Sequence, residues 1–373
     1  MTTSTRDLLA SKTILKAISQ IQAPGTTLQR LFGWGFSGGN KRRQSGRTFS
    51  FDIFDATRTV ATARAAGQAS ARIAPQRVGS TTGAFPRAAE TIALRDEELL
   101  NQRRIGGPID QLDDEGEVFI TRQEAFLAQR FANLIEFQTA AMLRGSYSFT
   151  SVGDELRHGF SGSDVTVDFK IPAGNLGQLD MLNEGDILSA DWDTAATDIP
   201  SHLYAINRAM VQLTGMGLSH VVIGSSVWQM LLKNEAIRNA GGTADVLFDT
   251  LRRSGAGEFT AVLRAIPWVT FHIVDYGLDI WDGSATTFTR LIADDHAAFF
   301  PEPSARWVQY IEGSEIVTEG PGGVRAERFG FYPFAYPVHD PSGWELCAVM
   351  NGLPALYTPS AIAYGLVTGG SYA

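Results

Sequence analysis

The sequence predicts an α+β fold: an extended front segment with little core material, then a long helix, then a mixed helix-and-sheet body. Three observations carry this. A capped helical run spans Thr121 to Gly145, helix and strand patterns alternate from Ser201 onward, and the stretch from Thr57 to Pro86 holds almost no large apolar residue. The 373 residues are 44% hydrophobic and 19% charged, a globular composition with room for two or three compact units.

Residues 1–47 read as an arm. An amphipathic helix is expected over Arg6–Ile21, broken at Pro24-Gly25. Leu31, Phe32, Trp34 and Phe36 then cluster with glycines between them, and Ser37-Gly38-Gly39-Asn40 has linker chemistry. Aromatic residues on such a tether require a docking surface elsewhere. Residues 48–104 read as an extended loop. Phe49, Phe51 and Ile53 alternate with polar residues, as on a half-buried strand, and Glu90–Arg95 reads as the strand returning beside them. The Ala, Gly, Ser, Thr and Arg between them cannot build a core.

A peripheral unit follows over residues 105–190. Thr121 and Glu124 match a capping box, after which Leu127, Phe131, Leu134, Ile135, Gln138, Ala141 and Met142 recur at helical spacing until Gly145. Strands are expected at Tyr147–Thr150 and Val165–Ile171. Residues 191–329 read as an α+β unit. Its helices are expected near Leu203–Leu213, Ser226–Asn239 and Ala244–Arg252, and its strands at His220–Ile223, Val269–Val274, Thr287–Ala293 and Trp307–Ile311. Residues 330–373 read as return strands, with Phe331–Tyr336 extended and the apolar run Glu345–Gly369 folding back on the body.

Charge divides the chain. Residues 1–104 carry 16 Lys+Arg against 7 Asp+Glu, a net of +9; the remainder carries 15 against 33, a net of −18. Arginine supplies most of the basic part, and its planar fork grips carboxylates in two places. One reading lays the basic third of one copy on the acidic body of the next, a head-to-tail contact that closes rings or shells. The other is a nucleic-acid-binding arm. On the first reading Arg42, Arg43, Arg47, Arg58, Arg64, Arg72, Arg77 and Arg87 are inter-subunit contacts.

Catalytic chemistry is sparse. The lone Cys347 excludes an internal disulfide and multi-cysteine metal clusters, and its apolar neighbours favour a buried structural thiol. None of the six histidines pairs with another at metal-binding spacing, and no Walker loop, dinucleotide turn or nucleophile elbow occurs. Asp191, Asp193 and Asp198, or Asp294, Asp295 and His296, suit a hard cation on paper. The plainer reading is turns and caps, with Asp198 capping the helix near Ser201. No enzyme activity, cofactor or metal is expected. The first residues lack a continuous apolar segment, and no run approaches the ~20 apolar residues that span a bilayer.

Taken in order, these segments resemble the major capsid protein E family of tailed phages. The resemblance rests on LQRLF at Leu28–Phe32, the run from Gly79 to Leu100, Arg103-Arg104 before the long helix, and LRGSYSFT with VTVDF. It continues through Trp192 in its acidic segment, VVIGSSVWQMLLKNEAIRN, and the stretch Pro341–Pro359. The resemblance implies the Hong Kong 97-type capsid fold, with an N-terminal arm, an extended hairpin or E-loop, a peripheral domain with a spine helix, and a central axial domain. It implies a virion shell of hexamers and pentamers around double-stranded DNA, assembled in the host bacterial cytoplasm. The implied partners are other copies of the chain, portal and scaffold proteins, a decoration or cement protein, and packaged DNA bound without sequence specificity; no membrane is implied. Of the five lysines only Lys41 lies near the loop, so Lys–Asn cross-links are not expected. Two other functions compete: an encapsulin-like compartment shell, and a metal-dependent hydrolase using Asp193 and Asp295.

Overall fold

The computed structural model describes residues 26–36, 38–54, 78–95, 114–150, 164–240, 248–255, 258–281, 286–319, 324–339 and 342–368. It opens with a short helix, α1 (Thr27–Leu31), and strand β1 (Lys41–Gln44). The hairpin β2 (Thr48–Phe54) and β3 (Val78–Ala84) and the strand β4 (Arg87–Arg95) come next. The long helix α2 (Asp114–Arg144) leads into the hairpin β5 (Ser146–Thr150) and β6 (Asp164–Asp168) and the short β7 (Leu176–Gly177). Helix α3 (Ile199–Thr214), strand β8 (His220–Ile223) and helices α4 (Ser225–Lys233) and α5 (Glu235–Ala240) follow. The strands β9 (Phe248–Gly255), β10 (Glu258–Leu263), β11 (Thr270–Val274), β12 (Gly277–Trp281), β13 (Thr286–Arg290) and β14 (His296–Phe300) complete this region. Three long strands, β15 (Val308–Glu319), β16 (Val324–His339) and β17 (Ser342–Leu356), and the short β18 (Ala363–Leu366) end the fold. The expected arm helix Arg6–Ile21 lies outside the described residues.

Two sheets organise these elements. A five-stranded sheet runs β1-β15-β16-β17-β4, and a seven-stranded sheet runs β7-β18-β14-β8-β11-β10-β9. Helix α2 crosses the first sheet. Gln138 donates to the Gly352 carbonyl at 3.1 Å, and the Phe131 ring lies 5.0 Å from Phe331. Alternation along β17 puts Leu346, Ala348 and Met350 in the core with α2, while Val349 joins Val317 and Tyr332 in a small cluster on the opposite face. All four residues of β8 are buried, with Val221 and Ile223 in one core and Val222 in the other. The seven-stranded sheet is therefore a wall between two cores, which explains the unbroken apolar run in its centre.

The expected elements are largely present, with four corrections. Helix α2 begins at Asp114, so Thr121 is an exposed residue inside it and not its cap. Gly145 ends the helix in the left-handed conformation, φ +99°. Second, β2 pairs with β3, not with Glu90–Arg95, which lies in β4 and pairs along β17. Buried Phe85 and Pro86 end the hairpin and start the new strand. Third, the part of Ala244–Arg252 within the described residues is strand, because β9 pairs antiparallel with β10. Finally, the helix expected over Ser226–Asn239 is two helices, broken at Asn234.

Asn234 explains its own break. It is fully buried, with ψ 128°, and its amide donates to the Ala195 and Thr197 carbonyls at 3.2 and 2.7 Å. Its Oδ1 accepts from Ile237 N at 3.1 Å, which starts α5. Substitution Asn234→Ala leaves the Thr197 carbonyl, in a buried residue, short of this donor, while the exposed Ala195 carbonyl keeps Glu235 N, and should cost about 1–3 kcal/mol. A urea midpoint equal to that of the unsubstituted protein would show that these bonds do not hold the break.

Candidate assembly surfaces and buried polar centres

The described parts of the front third are anchored inside their own chain. Phe32 packs 5.0 Å from Phe300 and 6.0 Å from Trp307, and Trp34 lies 5.6 Å from Tyr310. The aromatic cluster expected to need a docking surface finds it at home. Strand β1 runs parallel to β15, and β2 reaches the C-terminal strands through Phe54 N donating to Tyr357 O at 2.8 Å.

The arginines crowd the edge of the five-stranded sheet, where two shielded carboxylates gather four cations. Glu312 accepts Lys41 at 2.9 Å and approaches Arg43 at 3.7 Å. Glu315 accepts Arg47 at 3.2 Å, Arg87 at 3.3 Å and the Asn351 amide at 2.9 Å. The Arg43 guanidinium also stands 5.7 Å over the Phe329 ring. Glu312 and Glu315 side chains are only 12% and 10% exposed, whereas those of Arg43, Arg47 and Arg87 are 73%, 79% and 52% exposed. Such solvated pairs are worth about 0–1 kcal/mol each, and each arginine keeps donors facing outward. Arg42 is exposed with no ion pair among the described residues. Arg58, Arg64, Arg72 and Arg77 lie outside the described residues.

An acidic surface lies elsewhere. From Ile171 to Asn207 the sequence has no Lys or Arg, while Asp180, Glu184, Asp186, Asp191, Asp193 and Asp198 fall within it. Buried Trp192, Leu179 and Leu188 pin this irregular segment against the second core. Asp198 caps α3, accepting from Ser201 N at 3.2 Å and Ser201 Oγ at 2.6 Å, bonds that hold its carboxyl below the usual range. Asp294 pairs with Arg290, and Asp295 with His296 at 2.6 Å. Among the described residues no three His, Cys, Asp or Glu side chains are grouped to hold a metal ion. Cys347 is buried beside Thr91 Oγ1 at 3.2 Å, and burial pushes its thiol up.

Four buried titratable side chains were not expected to be buried from the sequence. Glu136 on α2 is fully buried and accepts from Leu28 N at 2.7 Å, Gln29 N at 2.9 Å and the Tyr276 hydroxyl. His220 and His272, 52 residues apart, meet because β8 and β11 are adjacent parallel strands: Nδ1 of the first lies 3.0 Å from Nε2 of the second. Glu302 holds the other side of His220 at 2.6 Å. Desolvation, then the neighbouring His220, pushes His272 down to about 3. Glu124 on α2 is 4% exposed, and desolvation pushes its carboxyl up to about 7. Glu124 carries only the capping pattern with Thr121 and the other three carry no local signal; the pairing of distant strands and the rotation of α2 reveal them as buried centres.

The architecture is that of phage capsid subunits. The structure is similar to that of the putative capsid protein of a prophage in E. coli CFT073, with TM-score 0.61 and 15% identity over 99% of this chain and 100% of that one. It is also similar to a phage-related protein from Bordetella bronchiseptica RB50, with TM-score 0.50 and 12% identity over 98% and 99% of the two chains. No curated protein matches the sequence. The chain belongs to the phage major capsid protein E family, whose model matches residues 10–367.

Two of the buried groups have opposite pH signatures. The folded chain keeps a proton on Glu124 that the unfolded chain loses above its ordinary value of 4.5, so stability from this site falls as pH rises from 4.5 to 7. Glu124→Gln should therefore raise the melting temperature at pH 8 and leave it nearly unchanged at pH 4. Its His272 counterpart works the other way: stability is full above 6.5 and declines as pH falls towards 3. His272→Gln should flatten the acid side of the stability profile. Parallel curves for wild type and variants would refute both assignments.

Proposed function

We propose that many copies of this chain assemble into hexamers and pentamers of an icosahedral shell enclosing double-stranded DNA. Family membership over residues 10–367 carries this reading. The charge distribution supports it: a front third of net +9 with outward-facing guanidinium groups, against a remainder of net −18. The subunit works by its shape and contacts and performs no catalysis. Arg42, Arg43, Arg47, Arg58, Arg64, Arg72, Arg77 and Arg87 are the proposed contacts to carboxylates of adjacent copies, and the in-chain pairs of Arg43, Arg47 and Arg87 leave donors free for that role. Each such contact is modest, and simultaneous engagement of several neighbours multiplies it. Assembly takes place in the host cytoplasm and the shell resides in the virion, with portal and scaffold proteins and a decoration protein as further partners. The acidic body keeps packaged DNA from adhering tightly to the wall. The arm, extended loop, peripheral, axial and return segments serve as the parts of this subunit, and the shell expands from a compact precursor as DNA enters.

Negative-stain microscopy of the expressed full chain should reveal closed shells or capsomer rings. A uniformly monomeric protein across salt and concentration would overturn the reading. Reversing Arg58, Arg64, Arg72 and Arg77 together to Glu should abolish shells while leaving the circular dichroism spectrum of the subunit intact. Normal shells from that variant would remove these arginines from the interface.

A further inference from the structure

The segment from Thr26 to Gln44 lies across three parts of the fold at once. Its backbone N–H groups at Leu28 and Gln29 are held by Glu136 of α2, and the Gln29 amide donates to the Ala132 carbonyl of the same helix at 3.2 Å. The Tyr276 hydroxyl, between β11 and β12, donates to Glu136 and accepts from Thr27 N at 3.2 Å. Phe32 and Trp34 enter the core beside Phe300, Trp307 and Tyr310, and β1 is added to the edge of β15. The segment thus ties the long helix to both sheets.

Its docking is incomplete. Six buried side-chain polar atoms among the described residues have no hydrogen-bond partner, and four of them are in this segment: Thr27 Oγ1, Trp34 Nε1, Asn40 Oδ1 and Gln44 Oε1. Asn40 gives its amide N–H groups to the Phe32 and Val308 carbonyls at 3.1 Å each and still leaves its oxygen bare. Every such atom disfavours the docked state relative to a solvated one. Gly33 and Gly35 have φ of +69° and +76°, so the chain turns at points where the backbone swivels without a side-chain penalty. Against these costs stand the aromatic burial and the Glu136 clasp. The clasp acts all or none, because a carboxylate buried this deeply is not left with part of its donors.

We propose that residues 26–44 form a releasable strap, clasped by Glu136 and Tyr276, that fixes α2 against the seven-stranded sheet and lets go when the subunit changes shape. The strap has two states separated by one buried cluster of bonds, which is what a switch between two packings needs. Its part in shell expansion rests on the proposed shell function; the strap itself does not.

Hydrogen exchange on the full-length protein tests the strap alone. In Tyr276→Phe and Glu136→Gln, the peptide 26–36 should exchange at least tenfold faster, with peptides in α3 and β8 unchanged. Val227→Ala, which opens a cavity in the second core, serves as the control and should speed α3 and α4 without freeing the strap. Unchanged exchange at 26–36 in the clasp variants, or loss of protection there only together with α3 and β8, overturns the proposal. Shells built from Tyr276→Phe should then expand at a lower temperature than wild-type shells. Equal expansion temperatures, with the strap shown to be loosened, would remove it from expansion while leaving the shell function intact. Absence of wild-type shells would defeat the shell function instead, and the exchange result would stand by itself.

Discussion

The fold depends on closure between the two ends of the chain. The front segments are too poor in apolar residues to build a core, and each described one is held by something late in the sequence. Strand β1 lies on β15, β4 lies along β17, and Phe51 and Phe54 meet Tyr357. Strand β17 is the keystone, since β15, β16 and β4 all pair with it and one of its faces meets α2. Contacts of such sequence separation carry a large loop-closure cost. The described basic residues of the front stand at the margin of the sheet that these contacts close.

Much of this was legible from residue patterns. Period-two alternation at Phe49 and Phe51, helical spacing from Leu127 to Met142, the cap at Asp198 and the stop at Gly145 are local signals, and the structure contains them. The misreadings share a cause, which is that partner choice is not local. Glu90–Arg95 is a strand by pattern, yet nothing within it says that β17 is its neighbour and β2 is not. Asn234 breaks a helix because two carbonyls nearly forty residues away take its amide. The same holds for the buried polar centres, since His220 and His272 become partners through the register of a parallel strand pair. The aromatic cluster near Trp34 needs a docking surface beyond its own segment and finds it against Phe300, Trp307 and Tyr310.

The arginine edge combines in-chain pairs with the proposed between-chain role. Glu312 and Glu315 are shielded and already bonded, so they are fixed points of negative charge around which long side chains gather. The guanidinium groups stay largely in water and give up little to remain there. A second carboxylate arriving from outside would meet a preformed row of forks, held in position by the first. Ordering these long side chains beforehand lowers the entropy lost on contact. In-chain pairing at this edge therefore leaves guanidinium groups exposed for the proposed interface.

Two cores divided by a single wall give the subunit its mechanical character. Helix α2 belongs to the first core, α3, α4 and α5 to the second, and β8 and β14 contribute to both. Close-packed interiors do not deform smoothly, so relative movement must occur where packing is imperfect or polar. Among the described residues, four of the six unpaired buried polar atoms lie along the strap from α1 to β1. The pressure for change and the place where it can be relieved are thus separated by design of the fold: the cores transmit, and the joint between α2 and the wall yields.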